Sequence, residues 1–417
     1  MGDRKRIALI GTLDTKGEEL RFLKEAIEAR GLQTLVIDIG LLGPPPFRPD
    51  ISRQEVLREA GLELADLLRG GDEGEAIEGM TQGLALLLQR LHRQREIDGV
   101  LAIGGGQGSA MASRGLQGLP VGFPKLLVST KVAQAGAGAY VGTRDILIAP
   151  SVADIAGLNR LTKRVLQNAA GAIVGMVQGG VIAKEEDHPL IAMSMLGTTT
   201  ACGLRLKDRL EADGLEVVVF HALGVGGRAM EEFLQEEGAE VVVELAVNEI
   251  GNYLFGGLAS AGPHRMEVAG SLGIPQVVTP GNADFINFLS PDTVPPRYRE
   301  RRLHRHNPQA TCMRLEAQEM ELVGRTMAEK LNRARAPVKV IVPLKGFSIW
   351  DREGGVFYDP EADRALIEAL LGNLREGIEV MEVELHINDP EFADLLYAEV
   401  KRTLELAPSH HKKTRGR

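Results

Sequence analysis

Ile7–Gly40 reads IALIGTLDTKGEELRFLKEAIEARGLQTLVIDIG. Arg6–Ile10 is a short aliphatic run, Gly11–Gly17 a polar turn, and Glu18–Ala29 has the apolar spacing of a helix face, closed by Gly31. Gln33–Ile39 is a second aliphatic run. A run that is apolar without alternation predicts a strand covered on both faces, and strand–helix–strand in that order predicts a parallel pair.

The same grammar continues outward. Gly43–Asp50 (GPPPFRPD) is a rigid loop, followed by helical stretches to about Glu96. Asp98–Ile103 is a strand running into Gly104–Gly108, and Lys125–Ser129 and Asp145–Ile148 add two more. Composition turns to glycine and charge around Gln178–Asp187, and the opening pattern then returns as IAMSMLGTTTACGLRLKDRLEADGLEVVVFHALG at Ile191–Gly224. PKLLVST (Pro124–Thr130) is echoed by PQVVTPG (Pro275–Gly281), while Val338–Pro343 and Val380–Leu385 supply late strands. The expectation is an α/β chain of two doubly wound, Rossmann-like domains with mainly parallel sheets. They would span residues 1–182 and 183–408, with a disordered basic tail at 409–417 (SHHKKTRGR).

The 417 residues suffice for two or three domains, and 44% apolar with 25% charged residues is ordinary for a soluble globular protein. A net charge of −9 and 4% aromatic residues argue against nucleic acid as partner. No run of 18 apolar residues or signal-peptide core is present, which argues against a membrane. Cys202 and Cys312 are too few for a disulfide framework or thiolate metal site, so a reducing cytoplasm and no metal centre are expected.

Ligands of doubly wound folds sit beyond the carboxyl ends of the strands. Five places there carry unusual residues. In Gly11–Gly17, Asp14 reads equally as a helix N-cap or a ligand contact, beside the Thr15 hydroxyl and the Lys16 charge. In Gly104–Ser109, Gly104, Gly105, Gly106, Gln107 and Gly108 leave backbone amides bare for a phosphate, ahead of Ser109. Ser129, Thr130 and Thr143 form a hydroxyl-rich group that could complete a nucleotide pocket or simply serve turns. In the second half, Thr198, Thr199 and Thr200 open one helix, and Gly224–Ala229 fits G-x-G-x-x-A with Glu244 at the spacing of a ribose-binding acid. Gly226, Gly227 and Arg228 of that turn suit a small anion equally well. Finally, His221, His304, His306 and His386 fall in the second half, with Asp389 following His386. His386 or His221, oriented by Glu249 or Asp389, would be acid–base candidates; a hydrogen-bonded structural histidine is the plainer reading. Met193 and Met195 are expected in the core, and Arg297–His306, with five arginines, as a solvated or interdomain segment.

GTLDTKGEELRFL, IGGGQGSA, LPVGFPKLLVST, YVGTRD, PSVADIAGLNR, NAAGAIVGM, FHALGVGGRAMEE, AGPHRMEVAG, IPQVVTPGNADFINF and LHINDPEFAD together resemble the UPF0261 family of Tm-1-like ATP-binding proteins, from about Ile7 to Leu406. The resemblance implies a two-domain Rossmann-like protein that binds ATP, with or without Mg²⁺, in its N-terminal half and forms a homodimer or higher homo-oligomer. It places Asp14, Thr15 and Lys16 at the family's D-T-K turn and Gly105–Gly108 at its glycine-rich nucleotide loop. ATP phosphates would lie on Gly104–Gly108 and Lys16, with Asp14 on a sugar hydroxyl or a Mg²⁺-bound water. Ala246–Glu249 (AVNE) departs from a Thr-rich T-T-T-E pattern of bacterial relatives but keeps the acid. The second domain would then hold a small anionic metabolite as an enzyme, or the protein would act as a regulatory module that binds another protein.

Overall fold

The computed structural model describes residues 5–70, 72–179 and 188–406; the expected tail at 409–417 and most of the expected boundary segment lie outside them. The chain forms two compact units, Met1–Glu185 and Glu186–Arg417.

The first unit runs β1 (Arg6–Gly11), α1 (Leu13–Glu28), β2 (Gln33–Asp38), α2 (Arg53–Glu59), α3 (Leu64–Gly70), α4 (Glu73–Arg93), β3 (Gly99–Gly104), α5 (Gly106–Gln117), β4 (Lys125–Ser129), α6 (Val132–Ala135), α7 (Gly138–Val141), β5 (Leu147–Pro150) and α8 (Arg160–Gln178). Its five strands are all parallel in the order β2-β1-β3-β4-β5. Alternation along β1 feeds two cores. Ile7 and Leu9 pack with Leu20, Leu23 and Ile27 of α1 and with α8, whereas Ala8 and Ile10 pack with α4 and α5. Every residue of β3 is buried, and β5 at the edge is half exposed.

Helix α1 begins five residues before the expected start, inside the presumed polar turn. The reason is distant in sequence. The carboxylate of Asp38, at the end of β2, accepts from the Leu13 amide (3.1 Å) and caps the helix, while the Thr12 side chain makes no capping bond. Asp14 is therefore not the N-cap. Lys16 then leaves helical geometry (φ −128°, ψ 20°).

The second unit runs β6 (Leu190–Met195), α9 (Thr200–Ala212), β7 (Glu216–His221), α10 (Val225–Glu236), β8 (Val241–Glu244), α11 (Asn248–Phe255), α12 (Val268–Leu272), β9 (Gln276–Val278), β10 (Phe285–Phe288), β11 (Leu303–Asn307), β12 (Ala310–Arg314), α13 (Ala317–Leu331), β13 (Val338–Pro343), α14 (Pro360–Asn373), β14 (Glu379–Val383) and α15 (Pro390–Leu406). Its six-stranded parallel sheet has the order β14-β13-β9-β8-β6-β7. Counted from β6, that is the first unit's order with one strand added. The sequence echo at Ile191 thus reflects a shared topology. Helices α9 and α15 cover one face, and α10 and α12 with the α13–α14 pair cover the other. An antiparallel sheet, β10-β12-β11, is an addition to this plan. It contains Leu303–Asn307, so the end of the arginine-rich segment expected to be solvated or interdomain is a strand. Met193 is fully buried and Met195 partly so.

Helices α13 and α14 approach closely at Gly324, where a Cβ would lie 2.4 Å from the Leu366 carbonyl oxygen and 3.0 Å from the Leu370 nitrogen. Gly372 of α14 has open space at the same position. Gly324→Ala should cost about 1–3 kcal/mol by overpacking, and Gly372→Ala should be neutral or stabilising by up to about 1 kcal/mol. Urea denaturation of the two variants checks this; equal effects would contradict the packing.

Candidate functional site

In the first unit the order of strands reverses between β1 and β3, so the connections leaving those strands part and open a crevice at their carboxyl ends. A cavity of about 470 Å³ lies there, within the usual ~300–1,000 Å³ of small-ligand sites. Thr12, Asp14, Thr15 and Lys16 line it from the β1 side, and Gly105–Gly108 from the β3 side. Ile39, Leu41, Leu42, Leu67, Ala76 and Met111 make an apolar wall, with Asp72 and Glu73 at the start of α4.

The glycines of this turn are of two kinds. A Cβ on Gly104 would stand 2.4 Å from the Ser109 nitrogen, so Gly104 is required by the chain itself. Cβ atoms on Gly105, Gly106 and Gly108 would meet nothing nearer than 4.0, 3.9 and 3.7 Å, and none of the three has a positive φ. Neither packing nor a positive φ demands glycine there. What the missing side chains do is leave the N-terminus of the 12-residue α5, whose cap carries no side-chain bond, bare toward the cavity. The stem of Lys131 lies beside Gly106; sequence reasoning passed over it.

Asp14 is 3% exposed in its side chain. Its Oδ2 accepts from the amides of Leu42 (2.8 Å) and Gly43 (3.2 Å) and lies 3.8 Å from Arg53, which in turn pairs with Asp38 (2.7 Å). Its Oδ1 is buried and accepts no hydrogen bond among the described residues. Thr12 and Thr15 share a hydroxyl bond of 2.7 Å at the rim. The Lys16 ammonium donates to the Ile155 carbonyl, tying the loop after β5 to α1. Gln107 donates to Glu73 across the cavity mouth (2.7 Å).

The hydroxyl group divides. Ser109 and Ser129 are buried and bonded to each other (2.8 Å), so they brace the turn from within. Thr130 sits beside Gly105, its amide on the Gly104 carbonyl. Thr143 falls elsewhere. Its neighbours Gly142 and Arg144 pack on Gln117 at the far end of α5, about 18 Å from the glycine turn at 1.5 Å per residue. It precedes β5 instead of following a strand, which removes it from this site.

The second unit has the same crevice position, between β6 and β8, but fills it with its own side chains. Glu249 Oε1 accepts from the amides of Gly224 (2.5 Å) and Gly227 (3.1 Å), so a carboxylate of the chain sits on the N-terminus of α10. Here each glycine is required: Gly224 has φ +75°, and Cβ atoms on Gly226 and Gly227 would stand 1.8 Å from the His221 oxygen and 2.0 Å from Glu249 Oε2. Arg265, fully buried, binds Glu249 (2.6 Å), both oxygens of Glu244 (2.6 Å each) and Glu231 (3.1 Å). Burial pulls the arginine's pKa down, but the three glutamates more than reverse this; burial pushes the Glu249 and Glu231 carboxyls up. The dinucleotide reading of Gly224–Ala229, with Glu244 on a ribose, is thereby overturned, and Gly226 and Gly227 are not open to a substrate. Arg228 is exposed.

The threonines are also spent internally. Thr198 accepts from Asn282, Thr199 donates to Asn282 (3.1 Å), and Thr200 donates to the Leu196 carbonyl (3.3 Å). The expected acid–base pairs do not form. His386 Nδ1 accepts from the Asn388 amide (3.1 Å) and Nε2 donates to the Ser348 carbonyl (2.9 Å), so the ring is held at both nitrogens. Asp389 accepts from the backbone amide of His386 and does not orient its ring. His386 and Asp389 line an acidic groove of about 900 Å³ that includes neither His221, which is exposed, nor Glu249.

Sequence reasoning missed a second buried group in this unit. Arg314 binds Asp363 (2.6 Å) and lies 3.8 Å from Asp351, and Ser348 donates to Asp284 (2.8 Å). Burial and the neighbouring Asp351 push Asp363 up to about 9 and Asp284 up to about 7. The four residues span 80 positions, and their signal, aspartates around an arginine, is invisible to spacing. Among the described residues no group of three His, Cys, Asp or Glu is arranged to hold a metal.

Residues 5–181 match the "Uncharacterised protein family (UPF0261) N-terminal domain" and residues 188–404 its C-terminal domain. A UPF0261 protein of Clostridium tetani is 42% identical over 93% of this chain and 96% of its own length. One of Rhizobium meliloti is 39% identical over 94% and 98%. The ToMV resistance protein Tm-1(GCR237) of Solanum lycopersicum is 34% identical over 97% of this chain, which spans 56% of that longer protein. The chain belongs to the UPF0261 family. No helix among the described residues is long and apolar enough to cross a membrane.

A pH dependence follows from the aspartate group. Folded Asp363 and Asp284 keep protons that the unfolded chain has released above pH ~4. Unfolding therefore sheds protons, and stability falls as pH rises from ~4 toward the folded values of about 7 and about 9. Urea titrations at pH 5, 7 and 9 should show the slope, and Asp363→Asn, which retains the oxygen facing Arg314, should flatten it above pH 7. An unchanged slope in that variant would refute the assignment.

Proposed function

We propose that this UPF0261 protein binds ATP in the crevice of its first unit, with the phosphates on the amides of Gly105–Gly108 at the start of α5. The observation that carries the reading is the bare helix end: three glycines that neither packing nor φ requires, facing a cavity beyond the carboxyl ends of β1 and β3. An anion there gains both the unsatisfied amides and the positive end of the helix dipole, while the apolar wall suits a base. Lys16 and Lys131 stand near enough to add charge, Lys16 by leaving the Ile155 carbonyl. The family resemblance points the same way.

Mg²⁺ suits the arrangement as a companion of the phosphates and not as a caged ion. It takes one or two carboxylates and keeps several waters. Asp72 and Glu73 are the carboxylates on that wall, and the ion would offset the charge they share with a triphosphate. A homo-oligomer belongs to the same reading on the family resemblance alone, and a cytoplasmic setting on the two free cysteines, Cys202 and Cys312. An acid–base enzyme in the second unit gains no support from His386, His221, Glu249 or Asp389, whose polar groups are committed to backbone or ion pairs or are exposed on the surface.

Because a side chain at Gly106 has room, Gly106→Val should fold with wild-type stability to within about 0.5 kcal/mol, as a surface change does, and fill the phosphate position. ATP at millimolar concentration with Mg²⁺ should raise the melting temperature of the wild type and leave the variant unmoved. No shift in the wild type would end the proposal.

A further inference from the structure

Lys16 lines the first unit's cavity, but its charge is spent outside it: the ammonium donates to the Ile155 carbonyl, in the loop between β5 and α8. Its backbone has left helical geometry at that point of α1. A second bond between α1 and the same loop lies three residues on, where Glu19, 2% exposed, accepts from the Gly157 amide (2.7 Å).

The loop itself is strained. Val152 has φ +66°, a left-handed conformation that a β-branched residue rarely adopts, and its side chain is 79% exposed, so packing does not hold it there. Such a conformation persists only where neighbouring bonds over-determine it. At the start of the loop the Ser151 amide donates to the Ser129 carbonyl (3.1 Å), and the Ser151 hydroxyl to the Ala153 carbonyl (2.6 Å). At its end stands the bond from Gly157 to Glu19. Between these ends the Ile155 carbonyl hangs on Lys16, while the Ile155 side chain is buried in the core with α1 and α8.

A phosphate in the cavity competes for that ammonium. The Lys16 amide donates to the Thr12 carbonyl (2.8 Å), and Thr12 lies against Gly108, whose Cβ would be 3.7 Å from the Thr12 methyl. The lysine therefore stands one helical turn from the residue that touches the glycine turn. A backbone carbonyl offers the ammonium a dipole and a phosphate offers it a full charge, so the phosphate is the stronger acceptor. Resting on the ATP-binding reading, we propose that Lys16 is a switch: bound nucleotide takes its ammonium from Ile155 and frees the strained loop after β5, which thereby reports at the edge of the sheet whether the crevice is occupied. Because the Ile155 side chain stays in the core, what is freed is the backbone of residues 152–156 and not the whole segment.

Hydrogen exchange of the full chain in Mg²⁺ buffer, read by mass spectrometry with and without saturating ATP, tests this over residues 151–158. Ligand binding ordinarily slows exchange, because it stabilises the folded state. Here ATP should speed exchange in the loop roughly two- to tenfold, the range of one lost hydrogen bond, while residues 105–108 slow. Lys16→Met without nucleotide should already exchange at the faster rate. The wild-type comparison needs no variant and stands even if Lys16→Met folds poorly. Loop exchange that ATP slows or leaves unchanged, with protection at the glycine turn, overturns the switch and leaves ATP binding intact. A folded Lys16→Met whose loop exchanges as slowly as the wild type overturns it too. No change at either place is the failure of nucleotide binding itself, and the switch falls with it.

Discussion

A parallel sheet delivers every helix N-terminus to one edge, and each arrives with amides that nothing in the helix can satisfy. How those amides are met governs both units. At α1 the answer is Asp38, reaching over from β2. At α10 it is Glu249, reaching from the first turn of α11. At α5 no side chain answers, and three glycines hold the end open. Helices α9 and α11 also lack a side-chain cap, so what sets α5 apart is the cavity it faces and the three glycines that packing does not require.

The closed crevice of the second unit is closed at a price in buried charge. One arginine among three glutamates, and another among three aspartates, leave more acid than base in each group. Part of the excess is removed by protons: the raised carboxyls of Asp284, Asp351 and Asp363 do not all ionise together. Such groups contribute little net stability compared with apolar packing, but removing one partner strands the others. Their consequence is geometric. Arg265 joins α10, β8 and α11, and Arg314 joins β12 to the start of α14, so the elements around the crevice cannot part without breaking several bonds at once.

The strands and their parallel order were legible because apolar runs closed by glycine turns report burial on both faces, and the echo between Ile7 and Ile191 carried the shared topology. The glycine turns were legible as turns and no further. Gly105–Gly108 and Gly224–Gly227 look alike as text, yet one set is open and the other locked against the His221 carbonyl and the Glu249 carboxylate. Spacing cannot distinguish them, because what a Cβ would strike belongs to residues distant in sequence, such as Ser260 for Gly224 and Glu249 for Gly227, or to nothing at all. Serine and threonine misled for a related reason: Ser109, Ser129 and Thr199 stand at strand ends but spend their hydroxyls inside the turns. Thr143 failed because the segment before a strand was taken for the segment after one. Arg265 and Arg314 were out of reach, since their partners lie 16 to 49 residues distant.

The two units have one topology and opposite solutions at the same place, and charge explains why both can exist in a chain of net charge −9. An anion is not attracted here by the protein's overall field, which repels it. An anion on the glycine turn would be held by amides whose partial charges act within a turn of the helix. In the second unit that short-range field is already saturated by Glu249, and Arg265 keeps the carboxylate from leaving. In the first no side chain among the described residues caps α5, and the acids around the cavity have partners of their own: Asp14 the Leu42 and Gly43 amides, Asp72 the first turn of α4, and Glu73 the Gln107 side chain. The backbone of the glycine turn therefore offers its amide donors to the cavity.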